Sequence, residues 1–196
     1  MELLKKCLIQ KKIEVSINKL KPASNGFALI FLIGFMGCGK TTLGRKLASR
    51  LGYEFIDLDH ILEAQVGMTI AEYFSKFGEE AFRKLESEFL KHTKYPEHAV
   101  ISTGGGLPCF FDNMEWMNTH GKTVYIKLSP KTLADRLENE KDKRPVLNDH
   151  GEDLVAFIAG KLAERDKFYN QASIIADGLS LTAEKVEGLL KSKAIS

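Results

Sequence analysis

Phe27-Ala28-Leu29-Ile30-Phe31-Leu32-Ile33 runs directly into Gly34-Phe35-Met36-Gly37-Cys38-Gly39-Lys40-Thr41-Thr42. The first seven residues form an apolar run of strand length, and Gly34 to Thr41 fits the pattern G-x-x-x-x-G-K-[ST]. Leu43, Leu47 and Leu51 then place one apolar stripe on a helix that opens at Lys40 and stops at Gly52. Strand, glycine loop and helix in this order make a phosphate cradle. Glycines let successive backbone N–H groups point at a phosphate, and the positive end of the helix adds to the attraction. Lys40 would reach the β- and γ-phosphates and Thr41 would offer its hydroxyl to Mg²⁺. Gly37, Cys38, Gly39, Lys40, Thr41 and Thr42 are therefore the expected ATP-binding segment.

Outward from this loop, short apolar runs alternate with amphipathic segments, as in β-α-β units stacked into a parallel sheet. Five strands are legible, at Ala28 to Ile33, Glu54 to Asp57, Ala99 to Ser102, Thr123 to Leu128 and Ser173 to Ala176. Thr69 with Glu72 reads as a capping box for a helix ending near Gly78. A second helix from there carries Phe82, Leu85 and Phe89 on one face and sets Arg83 and Glu86 one turn apart. Ser129-Pro130 opens a helix running to about Glu138, another covers Asp153 to Tyr169, and a last one about Ala183 to Lys193. Between them, Glu140 to Asn148 is densely charged, contains Pro145 and reads as a mobile surface segment, a lid if the chain is a kinase. The expected fold class is α/β with three layers, a five-stranded parallel sheet with helices on both faces. Residues 1–26 precede this domain, which takes up 27–196. Ile13, Val15 and Ile17 alternate there with polar residues, so this leader is either an extra edge strand or a poorly ordered extension.

Composition narrows the function classes. At 196 residues and 44% hydrophobic content, the chain can bury one full-sized core but not two. Its 28 basic and 26 acidic residues leave a formal charge of +2, so no broad field exists for nucleic acid or an anionic membrane. The three cysteines Cys7, Cys38 and Cys109 are widely spaced and form neither a disulfide framework nor a zinc pattern. No apolar stretch is long enough to span a bilayer and no signal peptide is evident, so a cytoplasmic location is expected.

Three further groups of residues stand where ligands bind in open α/β sheets, at the carboxyl ends of strands. Asp57-Leu58-Asp59 ends the second strand, and alternation is expected to send its two carboxylates to different environments. One would hold Mg²⁺ through water and the other would accept a hydroxyl proton. Gly104-Gly105-Gly106 follows Val100-Ile101-Ser102-Thr103 and lets a ligand approach the main chain closely. An acidic residue is missing after that third strand, so acidic support for a metal falls to Asp57. Arg83, Arg144 and Arg165 could clamp a carboxylate or a migrating phosphoryl group in bidentate fashion. Cys38, a thiol at a helix N-terminus, is expected to be reactive.

In order, these strings resemble the shikimate kinase family of the P-loop, nucleoside-monophosphate-kinase-like group. The resemblance runs from about Phe27 to Ala176. It rests on Gly34 to Thr42, Asp57-Leu58-Asp59, Phe77-Gly-Glu-Glu-Ala-Phe-Arg-Lys-Leu-Glu86, Ser102-Thr-Gly-Gly-Gly106, Arg144-Pro-Val-Leu147 and Glu164-Arg-Asp-Lys-Phe-Tyr169. The resemblance implies transfer of the γ-phosphoryl of MgATP to the 3-hydroxyl of shikimate, on the way to chorismate and the aromatic amino acids. It implies Asp59 as substrate ligand and general base, with Lys40 and Arg144 as the other catalytic groups and Asp57 near the Mg²⁺ shell with Thr41. Arg83 and Arg165 match the arginines that grip the shikimate carboxylate, with Gly105 and Gly106 giving backbone contacts. Arg136 matches the adenine-stacking arginine, and Arg144 the lid arginine that also reaches ATP. A monomer is the family expectation. A kinase for another small metabolite, such as gluconate, would share the phosphate loop but not the Arg83/Arg165 pair, and a non-catalytic module would be expected to have lost Lys40, Thr41 or Asp59.

Overall fold

The structure, a computed structural model, describes residues 29–138 and 154–192. Five parallel strands form one sheet: β1 (Leu29–Ile33), β2 (Glu54–Asp57), β3 (Ala99–Ser102), β4 (Lys122–Lys127) and β5 (Ile174–Asp177), in the order β2-β3-β1-β4-β5. Every residue of β1 and β3 is buried, so both faces of the central strands are covered. Successive residues show how. Phe31 packs edge-on against Trp116 at 6.1 Å, on the helix α4 (Asn113–His120). Leu32 faces the other way, toward Gly44 of α1 (Lys40–Leu51). A Cβ at Gly44 would lie 2.5 Å from the Phe55 ring, so only glycine lets α1 sit this close to β2. The α/β reading with helices on both faces of a five-stranded parallel sheet is what the chain adopts.

Strand positions agree with the sequence reading to within about a residue. β4 starts at Lys122 and ends at Lys127, and β5 runs from Ile174 to Asp177. The register matters more than the bounds. Asp57 pairs with Ser102 and Ser102 with Leu32, so the strand ends bearing Asp57, the three glycines and the phosphate loop finish level with one another.

Two short helices and a turn were not anticipated. α2 (Leu58–Val66) begins with no intervening loop because Asp57, the last strand residue, is also its N-cap and accepts a hydrogen bond from His60 N at 3.5 Å. The two acids of Asp57-Leu58-Asp59 do reach different environments, but through the first turn of a helix rather than by strand alternation. A 3₁₀ turn (Leu107–Cys109) and α4 follow the three glycines; α4 buries only Asn113, Met114 and Met117, too little to leave a clear periodic signal.

The capping box at Thr69 and Glu72 is present and opens α3 (Ile70–His92), which breaks at Gly78 with φ 81° and ψ 170°. That backbone state suits glycine and splits the run into the two helices the sequence suggested. The break folds the first half back on the second, bringing Phe74 to 4.5 Å and Tyr73 to 6.0 Å from the Phe82 ring. α5 (Pro130–Glu138) is capped by Ser129, whose hydroxyl accepts from Thr132 N at 3.2 Å. α6 (Leu154–Tyr169) packs against α5, and α7 (Ala183–Ser192) lies beside α1. The leader at 1–26, the charged segment at 140–148 and Arg144 within it lie outside the described residues.

Candidate active site

The loop after β1 is held open by glycines at positive φ, Gly37 at 77° and Gly39 at 97°. A side chain at Gly37 would also strike Leu137 of α5 at 2.8 Å. Lys40 folds back into the loop, donating to Gly34 O at 2.8 Å and Phe35 O at 3.1 Å. Only 9% of it is exposed, so its ammonium waits inside the cradle on carbonyls that a phosphate can replace. From α5, Arg136 Nη1 donates to Cys38 O at 3.2 Å and so flanks the outer side of the loop. The Cys38 side chain points inward: the residue is 4% exposed, with Sγ 3.8 Å from Lys40 Nζ. The expectation of a reactive thiol is corrected accordingly, because burial shields the sulfur and leaves only the backbone of Cys38 at the ligand side.

Thr41 Oγ1 donates to Asp57 Oδ2 at 2.7 Å, joining the start of α1 to the end of β2. Two hard oxygen donors next to a phosphate cradle suit Mg²⁺, which is bound through few protein groups plus water and phosphate oxygens. Among the described residues no group of three or more His, Cys, Asp or Glu could enclose a metal unaided. Asp59 stands one helical step further on, in a crevice of about 220 Å³ that it lines with Lys40, Thr41, Asp57, Thr103 and Gly105. Burial raises the Asp59 carboxyl above the ordinary range; Lys40 and Arg83 pull it down while Asp57 and Glu63 push it up. It is thus a stronger base than a solvated aspartate. A larger groove of about 700 Å³, between α6 and the β4–β5 edge, contains Asp166 and Asp177 but neither the phosphate loop nor the arginines.

Gly104 to Gly106 is where the two halves of the site meet. A Cβ at Gly104 would lie 2.5 Å from Glu86 Oε1 and 2.8 Å from Asp59 Oδ1. At Gly106 it would lie 2.7 Å from both Nη atoms of Arg83, and at Gly105 3.7 Å from Arg165 Nη1. The second carboxylate and both guanidinium groups therefore crowd around one stretch of bare backbone. Arg83 is fenced by aromatic rings, its Cζ 4.6 Å from the Phe110 centroid, 5.2 Å from Phe82 and 5.4 Å from Phe74. Arg165 stacks on Phe35 at 5.1 Å, and its buried Nη1 has no hydrogen-bond partner among the described residues. The neighbouring Tyr169 hydroxyl donates to Gly105 O at 2.5 Å. A buried cationic donor without an acceptor is costly unless a ligand supplies one.

Glu86 is the residue whose importance the sequence understated. The spacing shows only a neutralising partner for Arg83, whereas in the fold Glu86 is 4% exposed and accepts from Arg83 Nη1 at 2.8 Å. Burial pushes its carboxyl up to about 7, against the pull of Arg83. Phe110, which stacks on Arg83, carries no local signal, and Tyr169 stands in a quoted motif without its bond to Gly105 O being readable there.

A parallel sheet with a glycine loop on its central strand, a lysine folded into that loop and a base beside it defines a P-loop phosphotransferase. The family model described as shikimate kinase matches residues 36–192, and the chain belongs to that family. It is 49% identical over 156 residues to the shikimate kinase of Parabacteroides distasonis, covering 79% of this chain and 90% of that one. The crystal structure of shikimate kinase from Bacteroides thetaiotaomicron superposes with a TM-score of 0.79 at 41% identity, covering 85% of this chain and 99% of that one. That of the Acinetobacter baumannii shikimate kinase in complex with shikimate does so with a TM-score of 0.78 at 33% identity, over 86% and 96%.

Proposed function

We propose that the chain transfers the γ-phosphoryl group of ATP to the 3-hydroxyl of shikimate, giving shikimate 3-phosphate and ADP. The observation that carries this is the convergence of Asp59, Arg83 and the unpartnered Arg165 Nη1 on the three-glycine turn, beside the crevice that Asp59 and Gly105 line together with Lys40. Two arginines fit the ring carboxylate, and the close-approach backbone at Gly105 and Gly106 fits a compact cyclic body. Asp59 then accepts the hydroxyl proton as the new O–P bond forms and the bond between the γ-phosphorus and the β–γ bridging oxygen breaks, releasing ADP. Lys40 exchanges the Gly34 and Phe35 carbonyls for phosphate oxygens and neutralises charge on the migrating group. Thr41 and Asp57 would hold Mg²⁺, which supplies further neutralisation when bound. Arg136 would stack on adenine, and Arg144 would complete the phosphate grip. All these groups come from one chain, so the reaction needs no residue from a second copy, in keeping with the monomer expected for the family, and its use of ATP fits the cytoplasm.

A coupled assay for ADP release tests the reading. Shikimate is expected to support turnover and gluconate, which lacks a ring acid, is not; turnover with gluconate alone would overturn it. The 49% identity to a shikimate kinase over most of both chains supports the same substrate.

A further inference from the structure

Glu79 binds the same guanidinium as the proposed substrate carboxylate. Gly78 breaks α3 immediately before it, which puts Glu79 in the first turn of the second half-helix and one turn below Arg83. Its Oε1 accepts from Arg83 Nε at 3.2 Å and from Nη2 at 3.1 Å. Those two N–H groups are the parallel side-on fork of the guanidinium, here closed on a single oxygen where a carboxylate set squarely against it could use two. Glu86 takes a donor on Nη1, the Gly106 backbone lies over the guanidinium and Phe110 stacks against it. Arg83 thus already serves two carboxylates of its own chain. A third must either displace one of them or share one cation with two anions of its own sign.

We propose that Glu79 is a displaceable stand-in for the substrate carboxylate, setting the affinity and the anion selectivity of the site. This rests on the reading of Arg83 as a substrate-carboxylate clamp. The two carboxylates on Arg83 differ in what they can do: the Glu86 side chain is 5% exposed and fixed, whereas that of Glu79 is 59% exposed and can return to water. Glu79 leaves at little cost, because its own carboxylate is 59% exposed and regains water, Arg83 passes to the incoming carboxylate, and a carboxylate remains favourable in the first turn of a helix. A ligand that offers only a carboxylate merely trades one ion pair for another and gains little. One that also reaches Arg165 and presents hydroxyls to Asp59 gains contacts that Glu79 cannot match. Glu79 thereby filters out simple acids.

The test compares the unaltered chain, Glu79→Gln and Glu80→Gln in steady-state assays with ATP and shikimate at low and high salt. Glu80 is the exposed neighbouring acid, so its variant removes the same charge without touching the Arg83 fork. For Glu79→Gln, KM for shikimate is expected to fall about two- to fivefold at low salt with kcat kept, matching the strength of an ion pair whose carboxylate stands in water. Inhibition by cyclohexanecarboxylate, a ring acid without hydroxyls, should strengthen by a similar factor. Both gains should shrink at high salt and be absent in Glu80→Gln. An unchanged or raised KM in Glu79→Gln, or an equal fall in Glu80→Gln, overturns the proposal while leaving the assigned reaction standing. No shikimate-dependent turnover in the unaltered chain overturns both.

Discussion

Substituting Gly106 by alanine tests the geometry of the acid-binding half with one added methyl group. The backbone tolerates it, since Gly106 has φ −86° and ψ −23°, an ordinary right-handed conformation. The added Cβ would sit 2.7 Å from Arg83 Nη1 and Nη2 and 2.8 Å from Cζ. To restore ordinary contact the guanidinium must retreat by roughly 0.7 Å, more than the ~0.5 Å a binding constellation tolerates. Retreat is opposed by the Phe110 ring at 4.6 Å and the tie to Glu86 at 2.8 Å, so the arginine tilts rather than slides away. Losing one charge-assisted hydrogen bond of the clamp costs about 1.5–3 kcal/mol, or roughly a 10- to 150-fold rise in KM for shikimate. ATP binding should be unaffected, because the methyl group points at Arg83 and not at the phosphate loop. Initial-rate kinetics varying each substrate separately provide the assay, with the melting temperature as a check on folding. A normal KM for shikimate in a folded Gly106→Ala protein would refute the placement of Arg83 beneath that turn.

Four other outcomes follow from the same geometry. Lys40→Met should lower kcat by about 10²-fold or more with little loss of fold, since one preorganised donor to a developing charge is worth that much; near-normal turnover would remove Lys40 from the mechanism. Asp59→Asn should lower kcat about 10²- to 10⁴-fold. In the unaltered chain, kcat/KM for shikimate should fall on the acid side at a pH above the ordinary aspartate range, because burial raises Asp59 and only its deprotonated form accepts a proton. A pH-independent rate down to pH 4 would contradict this. Glu86 links stability to pH: with its carboxyl raised from 4.5 to about 7, the folded state holds that proton more tightly than the unfolded one. Its contribution is therefore greatest below pH 4.5, declines by on the order of 3 kcal/mol as pH rises to 7, and then levels off. Melting temperatures of Glu86→Gln should fall less than those of the unaltered chain over that interval; parallel curves would show that Glu86 does not titrate there.

The phosphate half of the site was legible because its chemistry is local in sequence. Gly37, Gly39, Lys40 and Thr41 lie within five positions, and the loop conformation that makes them a cradle follows from which residues are glycine. The capping box at Thr69 and the helix break at Gly78 were legible for the same reason. α2 was missed because Asp57 ends a strand and caps a helix at once, leaving no loop to mark the change. The burial of the Cys38 thiol was missed because its surroundings include β4, nearly 90 residues on: the carbonyl of Ile126 there stands against Gly34, whose own Cα faces the sulfur.

The sequence by itself thus determined the sheet and the nucleotide loop, since each depends on contacts within a turn or on periodicity along one element, while the residues of an acid-binding pocket were legible only through the family resemblance. Only the tertiary structure decided that Asp59, Arg83, Glu86 and Arg165 surround one glycine turn, that Arg165 Nη1 is left without a partner, and that Glu79 already holds the Arg83 fork. Those facts depend on the level finish of β1, β2 and β3 and on the angle at Gly78. Strand register and helix packing are set by the whole core at once, and no short stretch of the chain encodes them.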